Sequence, residues 1–129
     1  MRNTEQEREL RDSAKMYRRP QINERVIQIQ PPTLEHLRAM RDEILRIAEQ
    51  NGAANVRVFG SVARGDAIES SDLDILVDVV SDVRGFAYFG LLEDLRRDLE
   101  ALLGRKVDIV DSAALKRTRE RILNEAVPL

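Results

Sequence analysis

The stretch Leu73–Val80 (LDILVDVV) constrains the fold more than any other part of the chain. Branched aliphatic residues fill it, which suits a half-buried or fully buried strand. Asp72 and Asp74 flank Leu73 at its start. Strand side chains alternate, so the two acids share one face with alpha carbons roughly 6.5–7 Å apart, while Leu73 points the other way into a core. A chain that builds this strand must therefore offer a hydrophobic layer on one face and a reason for paired carboxylates on the other.

The neighbouring segments supply the layer. Thr33 is a good N-cap for a helix that carries Leu34, Leu37, Met40, Ile44, Leu45 and Ile47 at helical spacing and stops at Gly52. Asn55–Gly60 (NVRVFG) alternates as a strand with Val56 and Val58 on one face. Phe86–Leu103 is a second amphipathic helix, ended by Gly104, and Lys106–Val110 is a third strand. A last helix, capped by Asp111 or Ser112, turns Leu115, Ile122 and Leu123 inward and Lys116, Arg117, Arg119 and Arg121 outward. The order helix, strand, strand, helix, strand, helix implies an α/β (α+β) fold, a small mixed sheet flanked by helices. The helical crossover permits a parallel pairing of the second and third strands. The loop between the first two leaves their direction open.

Residues 1–32 are expected to form an extension. It holds a charge-rich helix over residues 4–19, ended by Pro20, and a possible edge strand over residues 24–30 before Pro31-Pro32. The expected domain is then 33–129, with the extension packing on it, on another copy to give a homo-oligomer, or on a partner. With 129 residues there is room for one ordinary domain. The absence of cysteine excludes disulfides, thiolate metal sites and a cysteine nucleophile. No run of about 18 apolar residues is present, and the N-terminus is charged, so a cytoplasmic protein with no membrane span is expected. Net charge is −2, which argues against dedicated nucleic-acid binding. Residues 26–111 hold ten Lys/Arg against sixteen Asp/Glu. Bound divalent cations would account for that acidic centre as well as an ordinary acidic surface would.

A third acid, Asp108, lies between Val107 and Ile109 in the third strand, where an unpartnered carboxylate is costly to bury. If that strand pairs beside Asp72 and Asp74, three carboxylates converge. Oxygen donors without His or Cys favour Mg²⁺, with Mn²⁺ as the alternative, and three acids can hold two such ions. Ahead of them, Gly60-Ser61 closes a strand, and SVAR begins a short helix whose N-terminus favours phosphate. Ser61 adds a hydroxyl and a backbone donor, Arg64 a cation, and Gly65 ends the turn. Ser71 reads as the cap of the turn before the strand, and His36 as a surface or capping residue. Tyr17 and Tyr88 read as packing residues.

The run GSVARGDAIESSDLDILV (Gly60–Val77), with Asp108, resembles the signature of the DNA polymerase beta-like nucleotidyltransferase superfamily, in particular its minimal nucleotidyltransferases. The resemblance spans roughly residues 33–125. It implies that Gly60 and Ser61 contact the triphosphate of ATP, and that Asp72, Asp74 and Asp108 ligate two Mg²⁺ ions. A stand-alone minimal member further resembles the antitoxin half of HEPN–MNT toxin–antitoxin pairs, in which AMP passes from ATP to a tyrosine of the HEPN ribonuclease toxin. Two other outcomes are compatible with the residues: a small-molecule acceptor such as an aminoglycoside, or neutralisation of a toxin by binding alone.

Overall fold

A computed structural model describes residues 30–129. Expectations for a helix at residues 4–19 and an edge strand at residues 24–30 fall almost wholly outside that range. The chain runs through α1 (Leu34–Ala39), α2 (Arg41–Gln50), β1 (Ala53–Phe59), α3 (Gly60–Arg64), β2 (Leu73–Val79), α4 (Phe86–Leu103), β3 (Val107–Asp111), a 3₁₀ turn (Ser112–Ala114), α5 (Arg119–Glu125) and β4 (Val127–Pro128). The four strands form one mixed sheet in the order β3-β2-β1-β4. β1 is antiparallel to both β2 and β4, and β2 is parallel to β3.

One face of the sheet carries the core. Val56, Val58, Leu73, Ile75, Val77 and Val107 face Leu37, Ile44, Ala48, Leu95, Leu99, Leu102 and Leu103 from α1, α2 and α4, all buried. With almost no aromatic residues in it, this core gains its stability from many close aliphatic contacts. β1 keeps Ala53 and Val56 on the core side although they are three residues apart. Its register with β2 shifts between Ala54 and Arg57, and Asn55 sits there at φ +54°. Such a bulge inserts a residue and resets the alternation. The opposite face of β2 carries Asp74, Leu76 and Asp78, and Asp78 is tied down by Arg57, Asn55 and Ser112.

Two helices differ from expectation. The helix from Thr33 breaks in two at Met40, which ends α1 and starts α2. Both halves send apolar residues to the same core, so spacing alone does not reveal the kink. Thr33 caps as expected, its Oγ1 accepting the His36 N–H at 3.0 Å. The last helix begins at Arg119 rather than near Ser112. Asp111 does act as a cap, accepting the Ala113 N–H, but only one 3₁₀ turn forms there. Leu115 therefore lies outside α5, and Ile122 is its buried residue. β4, a two-residue edge pairing with Arg57 and Val58, is not anticipated by its sequence.

Asp111 is buried because α4 and β2 both bond it. Its Oδ2 accepts the Tyr88 hydroxyl at 2.7 Å and its Oδ1 the Val79 N–H at 3.4 Å. Burial and the Asp111 carboxylate push the Tyr88 hydroxyl up to about 12, so Tyr88 is a neutral packing residue.

Leu95→Ala, in the centre of α4, is expected to lower unfolding free energy by about 2–5 kcal/mol through the cavity left behind, as read by urea denaturation.

Candidate active site

The site is assembled where β1 ends and β2 begins. β1 passes directly into α3 at Gly60, where φ is +76°, a conformation that disfavours any side chain. A second constraint acts on the same atom: a Cβ at Gly60 would fall inside contact distance of Asp74 Oδ2. Glycine is thus required both by its own backbone and by the carboxylate packed on it. α3 then makes little more than one turn and closes on Gly65 at φ +83°. The Asp66 and Gly65 N–H groups bond the carbonyls of Ser61 and Val62, the Schellman pattern that ends helices on glycine. This compact turn holds Ser61 and Arg64 beside the strand ends, while Val62 is buried in the core.

The parallel register of β2 and β3 places Asp74 directly opposite Asp108, and the antiparallel register of β1 and β2 places Phe59 opposite Asp74. Neighbouring strands lie about 4.8 Å apart, so these carboxylates are adjacent across the sheet. All six residues singled out from sequence (Gly60, Ser61, Arg64, Asp72, Asp74 and Asp108) line one open pocket of about 420 Å³. Phe59, Ser71, Arg121 and Glu125 complete it. Ser71 does cap its turn, accepting the Ile68 N–H at 2.8 Å, and also borders the pocket. His36 stands exposed elsewhere, beside a second concavity of about 390 Å³ that holds none of Asp72, Asp74 and Asp108.

Electrostatics mark Asp74 as the strained member. Burial first, then the Asp108, Asp72 and Glu125 carboxylates, push its carboxyl from 3.8 up to about 6, with Arg64 opposing. Burial is the larger cause and the neighbouring carboxylates add to it, a conflict that a bound cation would relieve. Among the described residues, no three His, Cys, Asp or Glu side chains stand as a ready-made metal cage. The donor set nevertheless fits a hard divalent ion, being oxygen only, and like charges in one pocket favour spreading until a cation draws them in.

Two residues of the pocket escape a reading of the sequence. Arg121 appears there as one of several outward basic residues of the last helix. Glu125 has no signal at all, being 65 positions from Gly60, yet it holds both halves of α3: its Oε1 accepts the Gly60 N–H at 3.2 Å and its Oε2 accepts from Arg64 Nη1 at 2.7 Å.

Gly60-Ser61, Asp74 on β2 with Asp72 just ahead of it, and Asp108 on the parallel neighbour share one pocket, and residues 41–129 match the nucleotidyltransferase domain family. The chain belongs to that family, and the reaction class is nucleotidyl transfer. Among its relatives is the protein adenylyltransferase MntA of Thermococcus cleftensis, 42% identical over 82 residues, which are 63% of this chain and 79% of the relative. A solved structure, provisionally assigned as a minimal nucleotidyltransferase, is 47% identical and superposes with a TM-score of 0.64 over 76% of this chain and 97% of its own. A toxin–antitoxin crystal structure with AMP-PNP shares the fold at 21% identity and a TM-score of 0.54, covering 67% of this chain and 69% of that one. No helix among the described residues is long and apolar enough to cross a membrane.

Asp74 binds a proton more tightly folded than unfolded, so its contribution makes stability fall as pH rises from about 4 to about 6, and the cost persists above that. Asp74→Asn is therefore expected to raise the melting temperature at pH 8 while leaving it nearly unchanged at pH 4, as followed by circular dichroism. Mg²⁺ is expected to raise the wild-type melting temperature more at pH 8 than at pH 5.

Proposed function

We propose that this protein is an antitoxin that transfers AMP from ATP to a tyrosine hydroxyl of a cognate HEPN ribonuclease toxin. The observation that carries the reading is the convergence of Gly60, Ser61, Arg64, Asp72, Asp74 and Asp108 on one open pocket. The acceptor is inferred from the relative named a protein adenylyltransferase and from the toxin–antitoxin structure of the same fold. An open, shallow site favours an acceptor that arrives on the surface of another protein over one that must be enclosed.

The residues divide the work. The Gly60 and Ser61 backbone and the Ser61 hydroxyl receive the triphosphate, and Arg64 balances its charge. Asp72, Asp74 and Asp108 would hold two Mg²⁺ ions. Such ions, when bound, neutralise the phosphates and lower the pKa of the attacking hydroxyl. The tyrosine oxygen forms a bond to the alpha-phosphorus as the bond to the bridging oxygen breaks, and pyrophosphate departs. Asp108, the most exposed of the three acids, takes the hydroxyl proton as general base. The basic face formed by Lys116, Arg117 and Arg119, together with residues 1–32, supplies surface for docking the toxin.

Incubation with radiolabelled ATP, Mg²⁺ and the product of the adjacent gene tests the assignment. Label on a toxin tyrosine is expected, with loss of about 10³-fold or more in rate for Asp72→Ala or Asp74→Ala and complete loss in EDTA. Label on a small acceptor instead would make the protein a small-molecule nucleotidyltransferase. Toxin neutralisation that survives both substitutions would make it a binding antitoxin.

A further inference from the structure

Glu125 ends α5, and its two carboxylate oxygens take two different donors of the site at once. One is the Gly60 N–H, the other the Arg64 guanidinium. In the proposed reaction these are the backbone donor and the cation that meet nucleotide phosphates. A carboxylate spanning an amide and a guanidinium satisfies the same donors that two oxygens of a phosphate would satisfy. We infer that Glu125 is a stand-in for phosphate, holding the Gly60 amide and Arg64 until a nucleoside triphosphate displaces it. The inference rests on the nucleotide reading of those two residues.

Several observations support displacement over a permanent tie. Glu125 lies on the pocket wall beside Arg121, so its carboxylate stands where incoming phosphates must pass. Its negative charge adds to the repulsion already felt by Asp74, which makes it a poor neighbour for a further anion. Arg64 is held a second way, its Nε donating to Asp66 Oδ2 at 3.3 Å, so Nη1 can leave Glu125 without the side chain losing its place. Glu125 is the last helical residue, and Ala126 after it is already extended, so the side chain swings without unwinding a turn.

The device lowers nucleotide affinity by the fraction of time Glu125 occupies the donors. Calorimetric titration of the full chain with a non-hydrolysable ATP analogue and Mg²⁺ reads this directly. Glu125→Gln and Glu125→Ala are expected to bind about three- to tenfold tighter than wild type, and Arg64→Ala more weakly. In amide exchange, Gly60 is expected to be protected in the wild type, to lose protection in Glu125→Ala, and to regain it with the analogue. Equal or weaker binding by both Glu125 variants, with melting temperatures near wild type, overturns the inference and makes Glu125 a positioning residue for α3. Should Glu125→Ala unfold, Glu125→Gln keeps the shape and decides alone. Failure of the wild type and every variant to bind the analogue would instead overturn the nucleotide reading, and this inference with it.

Discussion

The parallel pairing of β2 and β3 is the constraint on which the site depends. It sets Asp74 opposite Asp108, two acids that would separate if left to their own charges. The register is held from the other face, where Leu73, Ile75, Val77 and Val107 are buried to within about one per cent of full coverage. A slip of β2 by one residue would turn Leu73, Ile75 and Val77 outward. Hydrophobic burial thus supplies the force that keeps like charges together, and the energy stored in that repulsion is available to whatever cation enters.

The glycine turn depends on the same pairing. Gly60 can lie against the Asp74 carboxylate only because β1 delivers Phe59 opposite Asp74. The Gly60-Ser61 backbone and the acids are therefore set in one stroke, through two adjacent ladders. This explains why so short a motif can specify a site: the spacing from Ser61 to Asp72 measures the loop that lets the two strands return beside each other.

Most of this was legible in the residues. β2 and α4 follow from alternation and amphipathic spacing, and the six site residues from the resemblance of Gly60–Val77 to a known signature; Asp108, expected to be costly to bury, stands exposed on β3 instead. What was hidden had physical reasons. The break at Met40 leaves the apolar stripe continuous, so no spacing rule detects it. The final helix starts at Arg119, past the single turn that Asp111 caps, and nothing in the spacing of Leu115, Ile122 and Leu123 marks that later start. Glu125 enters the site only through tertiary proximity, since a glutamate at a helix end is ordinarily a solvated residue.

β4 has a further consequence, for the rim of the sheet. It covers β1 with only two residues, and one of them is Pro128, which has no N–H to donate. Arg38 from α1 reaches over and donates to the Pro128 carbonyl at 3.0 Å, taking up an acceptor as well. An outer margin so short, and partly occupied by its own chain, is a poor template for a foreign strand. The open face that carries Asp72, Asp74 and Asp108 is thus flanked by an edge that resists pairing with a stray strand.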